Sequence, residues 1–557
     1  MCAWGVRDTI PTMTRTSRIA LLQLPAFSIE DAEVSLAHTL RRIDDAAREQ
    51  PDIIALPEVT YPAYFVGGDL AARGVLSSAE TMSRFAAKAR EHGVHIAAGM
   101  ALDAPGGRYT NGAALFGRDG ALIGRYEKSF LWHFDRRWFA AGSAYPVFET
   151  DAGRIGMLIC ADGRLPEIAR SLVLNGAQII LDLTAWVSGG RRAADLTSVQ
   201  REYMMPARAA ENGVWIACAD KCGVEAESIV YCGRSCVIDP LGEVVAELGP
   251  DEEAILAYNV PIEDAAPRVL RRPELYGALV QPTGSLPVVR ALDESFVMPR
   301  EEHRIAVVQM TMPVTGDAFL AVARTYIERL TLHDAEIIVF PATPGRLRAA
   351  YPHDEVLAGM TRLASESGVM VAFTVSEGEV GSGCRTIYLA GPRGVAGAHH
   401  QTHKPPGPRF ETMPLGNDPC SIVNTPVGKV GMMIAAEAFV PEVARSLMLR
   451  GAEILLICAD DPPAPLPGIV RCRADENRVF VACAAAPTAH GASIIVDPAG
   501  RVLAQALEGR ELSVSATVNR ALSHLKSMAP GSDVVRNRQP ETYGALTRAE
   551  SVAAPVI

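Results

Sequence analysis

Residues 153–170 of this chain read GRIGMLICADGRLPEIAR, and residues 428–445 read GKVGMMIAAEAFVPEVAR. The two passages share their glycine spacing, their apolar run and their proline–glutamate pair, but Cys160 in the first is Ala435 in the second. An apolar run that ends before a short polar turn and a proline predicts a buried strand followed by a helix. The chain therefore contains this strand, turn and helix twice, and only one copy keeps a thiol at the end of the strand.

The match extends over almost the whole chain. SRIALLQLPAF (17–27) aligns with HRIAVVQMTMP (303–313), and RRPELYGAL (271–279) aligns with RQPETYGAL (538–546). Two long similar halves, rather than many short repeats, indicate duplication of a whole domain. A chain of 557 residues is also too long for one hydrophobic core, so two domains of roughly 250–300 residues are expected.

The repeat sets the expected domain limits. Residues 1–16 are predicted to be a flexible leader, with Met13 as an alternative start, residues 17–290 the first domain and residues 302–557 the second. The boundary falls within TGSLPVVRALDESFVMPREE (283–302), which is charged and contains prolines.

Each half alternates short β-branched runs with amphipathic helices. Strands of the first half are predicted at IALLQL, IIALP, VHIAAGM, GRIGMLIC, AQIILDL and VWIACA, and helices at residues 30–49 and 79–92. Strands that are apolar along almost their whole length are typical of a sheet covered on both faces. The expected fold class is therefore α/β, with layered sheets and helices in each of two tandem domains.

Composition narrows the classes of partner and compartment. The net charge of −11 argues against nucleic acid or an anionic membrane as a partner. No apolar stretch reaches the length of about 18 residues that a membrane-spanning helix needs, and the N-terminus lacks the apolar core of a signal peptide. The eleven cysteines are an odd number, and many fall inside apolar strands, which favours reduced thiols in a cytoplasmic protein.

Three residues of the first half are candidates for catalysis: Glu58 in LPEVT, Lys128 in YEKSF and Cys160 in CADGRLPE. A cysteine thiol is mostly protonated near neutral pH and needs an adjacent base to become a nucleophile. In the second half, EIIVFPATP (336–344) aligns with the Glu58 segment and has alanine at the glutamate position. Alignment of YEKSF with QTHKP retains a lysine, Lys404, in a half where the glutamate and the cysteine are both replaced by alanine. The second half is therefore expected to be catalytically inactive.

With these residues in this order and spacing, the first half resembles the carbon–nitrogen hydrolase, or nitrilase, superfamily over its whole length. The resemblance implies a four-layer α-β-β-α sandwich for each domain. Members of the superfamily commonly pair into eight-layer dimers. The second half is accordingly expected to take the place of a second subunit in an intrachain pseudo-dimer, and a homo-oligomer of the whole chain is compatible with this arrangement.

The resemblance also implies a role for each residue. Cys160 attacks the substrate carbon, and Glu58 takes the thiol proton and later activates water. Lys128 and the backbone N–H of Ala161 stabilise the oxyanion. The implied intermediate is a thioester at Cys160, and neither a cofactor nor a metal is required.

A fourth position departs from the family pattern. The second glutamate of the family falls on Asp135, which is one methylene shorter and is expected to orient Lys128. In family members that act on carbamoyl amino acids, two adjacent arginines follow the cysteine, and Gly163 replaces the first of them here. Arg164 is expected either to contact substrate or to pair with a neighbouring carboxylate. Aromatic residues in loops after the catalytic strands are the predicted pocket walls: Tyr61, Tyr64, Trp132 and Trp186.

The predicted function is hydrolysis of a non-peptide C–N bond, with a small amide as substrate and ammonia or an amine as product. Two alternatives use the same residues, namely a nitrilase and an N-carbamoyl amine or amino-acid amidohydrolase. An alternative of another class is a small-molecule-binding regulatory protein in which turnover has been lost. The substrate itself is not readable from the sequence, because specificity depends on loop geometry.

Two further clusters give weaker patterns. Cys218, Cys222, Cys232 and Cys236 are spaced more widely than the cysteines of usual zinc motifs and fall within predicted strands. His399, His400 and His403 are placed on a polar edge between a strand and a loop. Neither cluster is expected to hold a metal.

Overall fold

The computed structural model of the chain describes residues 15–68, 70–190, 192–267, 269–294, 301–344, 350–376, 385–406, 414–418, 421–460, 465–488 and 493–548. These residues form two compact units. The first unit extends to Pro267 and also includes Ala529–Asp533, and the second comprises Arg268–Met528 and the chain from Val534 onward. Of the predicted leader, only its last two residues are described. Each unit contains two mixed β-sheets with helices, so the predicted tandem α/β fold is confirmed.

The first sheet of the first unit has eight strands. Thr16–Pro25 and Ile53–Ala55 run parallel, and so do Ile53–Ala55 and His95–Ala104. Two amphipathic helices, Ala32–Ala47 and Ser78–His92, pack against one face of this sheet in a shared apolar cluster. The other strands are Arg108–Phe116, Leu122–Glu127, Phe139–Ala140, Lys221–Cys222 and Ala254–Pro261.

The second sheet of this unit has six strands, and its centre is parallel. Helices Pro166–Leu174 and Met205–Asn212 pack on it. Proline suits the first position of a helix, because a backbone N–H there would have no acceptor within the helix. A short helix, Asp135–Trp138, lies in the connection that leads to this sheet. The strands, in spatial order, are Val244–Glu247, Cys236–Ile238, Trp215–Ala219, Ile179–Leu183, Gly153–Leu158 and Val147–Thr150, and the hairpin strands Val224–Glu225 and Ile229–Val230 stand apart.

The second unit repeats this architecture with two six-stranded sheets. The first sheet has the order Gly394–His400, Arg385–Gly391, Met370–Ser376, Ile337–Val339, Glu302–Gln309 and Leu512–Asn519. The second has the order Val423–Thr425, Gly428–Ile434, Ile454–Cys458, Phe480–Ala484, Ile494–Val496 and Val502–Gln505. The helices are Pro287–Glu294, Gly316–Thr331, His353–Ser367, Ala435–Ala438, Pro441–Leu449 and Leu466–Asn477. The short strands Ser527–Ala529 and Ser532–Asp533 pair with each other, and Ala529–Asp533 belongs to the first unit.

The strand Glu302–Gln309 shows why these segments are apolar along their length. Ile305 and Val307 join a cluster formed with strands of the second sheet, whereas Ala306 and Val308 join a cluster formed with two helices. Successive side chains of a strand point to opposite faces, so a strand buried on both faces has no polar alternation. The unit therefore stacks helices, sheet, sheet and helices in four layers.

Each repeat has one segment that belongs to the unit formed mainly by the other repeat. Residues 269–294, at the end of the first repeat, belong to the second unit, and Ala529–Asp533, near the end of the second repeat, belongs to the first unit. Within the described residues, no helix combines the length and apolar character needed to cross a bilayer.

Candidate active site

The three candidate catalytic residues of the first unit stand just after strands. Glu58 follows Ile53–Ala55, Lys128 directly follows Leu122–Glu127, and Cys160 lies two residues after Gly153–Leu158. Ligands and catalytic groups commonly gather at such strand ends in layered α/β proteins.

Lys128 is the centre of a buried charge cluster. Its Nζ lies 2.6 Å from Glu58 Oε1 and 2.7 Å from Asp135 Oδ2, and all three side chains are fully buried. Burial disfavours the charged ammonium, but the carboxylates of Asp135 and Glu58 outweigh it and raise the pKa of Lys128 well above its ordinary value. A fixed positive charge is thereby held in a site without bulk water.

The two carboxylate oxygens of Glu58 have different environments. Its Oε1 accepts hydrogen bonds from Lys128 and, at 2.6 Å, from Asn111 Nδ2, whereas Oε2 has no hydrogen-bond partner among the described residues. Gly99 permits this placement, because a Cβ there would lie 2.1 Å from Pro57 O. Burial, reinforced by the charge of Asp135, raises the pKa of Glu58. Its carboxylate is therefore a stronger base than an exposed glutamate.

Cys160 begins a short 3-10 helix, Cys160–Arg164, in a strained conformation. Its φ is +48°, in a region that residues other than glycine rarely adopt. Its N–H donates to Asp182 Oδ1 at 2.9 Å, and its carbonyl accepts from Gln200 Nε2 at 2.6 Å. The next N–H, that of Ala161, lies in the first turn, where N–H groups have no acceptor within the helix.

The thiol of Cys160 is protonated in the resting site. Burial, with the negative charge of Glu58, raises its pKa well above the ordinary value, and the opposing effect of Lys128 does not compensate. Attack by sulfur therefore requires removal of the proton as the new bond forms.

Backbone strain is concentrated around these residues. Val59 follows Glu58 and has φ +36°, and His133 lies between Lys128 and Asp135 with φ +43°. Non-glycine residues in such conformations cost of order 1–3 kcal/mol and cluster at functional sites. Ala435, the counterpart of Cys160, is not among the residues with positive φ. The strain at the nucleophile position is thus present only in the copy that carries the thiol.

The predicted pocket residues fall into two groups. Trp132 stacks on Arg164, whose guanidinium carbon is 4.4 Å from the ring centre, and Arg164 Nε donates to Gln200 Oε1 at 3.2 Å. Tyr64 is buried beneath the ammonium of Lys128, which is 5.7 Å from its ring centre. These contacts place Trp132, Arg164 and Tyr64 next to the catalytic cluster.

Two other aromatic residues lie deeper. Trp186 is 1% exposed, and its ring N–H has no hydrogen-bond partner among the described residues. Tyr61 packs in the core between the first sheet and its helices, and its hydroxyl accepts from Leu76 N. Tyr61 is therefore a packing residue, and its prediction as a pocket wall is wrong.

Gly163 has no room for a longer side chain. A Cβ at this position would lie 2.6 Å from Met205 Sδ, and the Gly163 carbonyl accepts from the buried Arg208 Nε at 2.9 Å. An arginine pair after the cysteine, as in the carbamoyl-amino-acid hydrolases, therefore cannot be formed without moving Met205.

The structure corrects the counterpart of Lys128 in the second unit. Lys128 is the first residue after its strand, its N–H donates to Asn111 O at 2.8 Å, and its carbonyl accepts from Gly142 N. Gln401 is the first residue after Gly394–His400 and makes the same pair of backbone bonds, at 2.8 and 2.9 Å. Lys404 lies three residues further on, so the lysine that the alignment retained is not at the position of Lys128. All three candidate catalytic residues are therefore replaced in the second unit.

Three polar residues that support the site were missed in the sequence: Asn111, Asp182 and Gln200. Comparison of the two copies could have found Asp182, because ILDL in its strand matches LLIC, where Ile457 stands at the aspartate position. A buried aspartate in one copy facing isoleucine in the other is the same signal that singled out Cys160.

The two weaker clusters are buried. Cys218 and Cys236 face each other on adjacent antiparallel strands, and burial raises the pKa of the Cys218 thiol well above its ordinary value. His399 and His403 are 2% and 1% exposed, so their predicted place on a polar edge is wrong. The strand Gly394–His400 lies at the edge of its sheet and is exposed or half-buried over most of its length, but it is buried near its end, at His399.

Comparison with known proteins gives a consistent result. The model of the family described as carbon-nitrogen hydrolase matches residues 18–268 and 304–524. A Pseudomonas protegens protein named "Hydrolase in pqqF 5'region" is 34% identical over 284 residues, covering 48% of this chain and 92% of that protein. An (R)-stereoselective amidase of Pseudomonas sp. is 31% identical over 236 residues, covering 42% of this chain and 82% of the amidase. A solved amidase from Nesterenkonia sp. matches with 26% identity and a TM-score of 0.39, covering 45% of this chain and 94% of its own.

Proposed function

Since the chain belongs to the carbon–nitrogen hydrolase family and is a hydrolase of C–N bonds other than peptide bonds, we propose that its first unit is an amidase that releases ammonia or an amine from a small amide through a thioester at Cys160. The observation that carries the proposal is the buried group of Glu58, Lys128 and Asp135 beside a strained cysteine. The amide class is supported by a relative that is itself named an amidase.

The first half of the reaction forms the thioester. The sulfur of Cys160 adds to the amide carbon while its proton moves to Glu58. The Oε2 atom of Glu58 has no hydrogen-bond partner in the described part of the chain, and its raised pKa makes this carboxylate a good proton acceptor. The carbonyl oxygen becomes negatively charged and is stabilised by Lys128 and by the N–H of Ala161. Collapse of this intermediate breaks the C–N bond, and Glu58 returns the proton to the leaving nitrogen.

The second half hydrolyses the thioester. Glu58, again a carboxylate, takes a proton from water as the water oxygen adds to the acyl carbon. Collapse of the second tetrahedral intermediate breaks the C–S bond, releases the carboxylic acid and restores the thiol with the proton held by Glu58. Asp135 keeps Lys128 in place through both steps, with its Oδ2 2.7 Å from Nζ.

A nitrilase reaction uses the same residues, and product analysis distinguishes it. Matched panels of amides, nitriles and N-carbamoyl compounds are incubated with the full chain, and ammonia and the acid products are quantified. Turnover of amides, with nitriles at least about a hundredfold slower, supports the amidase. Preferential turnover of nitriles or N-carbamoyl compounds overturns the amide assignment.

The thioester is tested by Cys160→Ala. This variant should lose activity by about 10⁴-fold or more, because the nucleophile is removed, and it should keep its fold, since Ala435 already occupies the equivalent place in the second unit. Intact mass spectrometry of the native chain with a slow amide should show an acyl adduct that the variant lacks. Substantial residual activity in Cys160→Ala would refute the mechanism.

A further inference from the structure

Ala529–Asp533, a segment from the second repeat, is part of the first unit. Ser532 within it is fully buried. Its hydroxyl accepts a hydrogen bond from His133 N at 2.7 Å and donates one to Leu131 O at 3.3 Å. The preceding residue contributes a third contact, since Gly531 O accepts from Arg136 Nε at 2.9 Å.

The loop that Ser532 contacts is the loop that carries Asp135. Leu131 and His133, the two partners of the hydroxyl, flank Trp132. Trp132 N donates to Asp135 Oδ2 at 3.0 Å, and Asp135 N donates to Trp132 O at 2.8 Å. These two hydrogen bonds link the two ends of the segment from Trp132 to Asp135. The same Oδ2 bonds Lys128. Displacement of this loop would therefore move Asp135, the carboxylate that accepts a hydrogen bond from Lys128.

His133 needs an external partner to keep its conformation. Its φ of +43° is unfavourable for a residue with a side chain, and strain of this kind persists only where the surroundings fix the backbone. The N–H that Ser532 accepts belongs to this strained residue. The hydroxyl therefore holds the loop at the residue whose backbone conformation is strained.

The two repeats differ in length around this serine. Strand Ala254–Pro261 corresponds to Leu512–Asn519 with an offset of 258 residues, whereas the tails RRPELYGAL (271–279) and RQPETYGAL (538–546) align with an offset of 267 residues. The second repeat therefore has nine more residues between this strand and its tail, which is the difference between the two offsets, and Ser532 lies in this longer connection. The connection that supplies Ser532 to the catalytic unit is thus longer than its counterpart in the first repeat.

We propose that Ser532 is a positioning residue of the active site: by bridging Leu131 O and His133 N, it holds the loop in which Asp135 orients Lys128 and Trp132 lines the pocket. The inference rests on the proposed function, because its effect is exerted through Lys128. The second repeat thereby contributes a residue to the catalytic unit although its own catalytic residues are gone.

The test compares Ser532→Ala with Ser523→Ala in the full chain. Ser523 is a matched control, since it is 1% exposed, lies in the second repeat and donates to one backbone carbonyl, that of Arg520, at 2.8 Å. Ser532→Ala should lower kcat about tenfold or more, because misplacement of catalytic groups by about 1 Å can cost as much as a hundredfold. The control should stay within about twofold of the wild type, and Ser532→Cys, with a similar volume and a weaker hydrogen-bonding group, should give an intermediate value.

A second readout separates positioning from loss of fold. Alkylation of Cys160 by iodoacetamide depends on Glu58 and the thiol, so its rate should change less than about twofold in Ser532→Ala, with an unchanged thermal unfolding midpoint. Wild-type kcat in Ser532→Ala, or equal losses of kcat and of alkylation in both Ser532 variants, would overturn the proposal. Activity in Cys160→Ala would instead contradict the proposed function. That outcome is measured on a different variant and is therefore distinguishable from the two outcomes that would overturn the role of Ser532.

Discussion

The charges around Cys160 explain why each catalytic residue needs the others. Lys128 is the cation between two buried carboxylates, and each carboxylate would be costly to bury without it. Burial raises the pKa of Glu58, and the ammonium of Lys128 opposes this effect. The thiol remains neutral until substrate arrives, since a thiolate would add another negative charge beside Glu58.

Glu58→Gln and Asp135→Asn should separate the base from the lysine-orienting group. Glutamine cannot take the thiol proton, so alkylation of Cys160 by iodoacetamide should slow by about tenfold or more, together with loss of turnover. Asp135→Asn leaves Glu58 and the thiol in place, so alkylation should persist while kcat falls by about 10²-fold, through weaker oxyanion stabilisation. Equal alkylation rates in the wild type and Glu58→Gln would contradict the base role.

The raised pKa of Glu58 predicts a shifted acid limb of activity. The catalytic form is the carboxylate, so kcat/KM should rise with pH through the pKa of Glu58. The midpoint of this rise should lie above the ordinary glutamate pKa of 4.5. The ammonium of Lys128 has a pKa well above 10.5, so its loss should not limit activity below that pH. A pH profile of kcat/KM over a stable range tests this, and an acid midpoint at or below 4.5 would count against Glu58 as the buried base.

At the scale of elements, the two units build the same junction with different side chains. In the first, Tyr126 donates to Asp162 Oδ2 at 2.7 Å, and the carboxylate also accepts from Ile159 N. In the second, His399 lies 2.9 Å from Glu437 Oε2, which accepts from Ile434 N. The first unit pairs a tyrosine with an aspartate, and the second pairs the shorter histidine with the longer glutamate. In each unit the junction joins the end of a strand of the first sheet to the turn after a strand of the second sheet, Gly153–Leu158 in the first unit and Gly428–Ile434 in the second.

His399 and Glu437 should give the second unit a pH-dependent stability. Burial lowers the pKa of His399, but the charge of Glu437 outweighs it and raises that pKa above 6.5, while His399 holds the pKa of the buried Glu437 down to about 2. The histidine contribution is complete below pH 6.5 and is lost as pH rises through its folded pKa. The glutamate contribution is complete above pH 4.5 and is lost as pH falls towards 2.

His399→Ala should therefore destabilise the protein more at pH 6 than at pH 9, by about 3–5 kcal/mol at the lower pH, because it leaves a buried carboxylate without its cation. The double variant His399→Tyr with Glu437→Asp rebuilds the junction of the first unit. It should be more stable than the two single changes predict by addition, with a coupling of about 0.5–3 kcal/mol. Denaturant unfolding at both pH values measures this, and strict additivity would show that the two junctions are not equivalent.

Periodicity and the internal repeat predicted most of the elements, including helices Ala32–Ala47 and Ser78–His92, expected at 30–49 and 79–92. Spacing also brought Glu58, Lys128 and Cys160 to one place, because each follows a strand. The true counterpart of Lys128 was missed, since a lysine three residues away in QTHKP gave a better match by letter than Gln401 did. Hydrogen bonds such as those of Asn111 and Ser532 depend on segments far apart in sequence, which a linear pattern does not reveal.

At the scale of the whole molecule, the two copies share packing residues but not the candidate catalytic residues. The second unit lacks all three of those residues and the strain at the position of Cys160, yet it retains the buried arginine–glutamate pair of the first, Arg208 with Glu211 there and Arg473 with Glu476 here. Packing residues and catalytic residues have thus followed different paths. The sequence predicts that the two copies pair as an intrachain dimer, and each contributes residues to the unit of the other.

Residues 13–290 expressed alone should be poorly active. This fragment keeps Glu58, Lys128 and Cys160 but lacks Ser532, and its residues 269–290 are separated from the unit to which they belong. The unpaired tail should promote self-association or aggregation, and the loop before Asp135 should lose its anchor, so kcat should fall by about tenfold or more. Co-expression with residues 302–557 should restore part of the activity, whereas co-expression with that fragment carrying Ser532→Ala should restore less. Activity assays combined with size-exclusion chromatography measure both effects. A soluble, monomeric and fully active 13–290 fragment would show that catalysis needs neither the serine nor the second copy, because nothing from the second repeat would then be required to hold Lys128 in place.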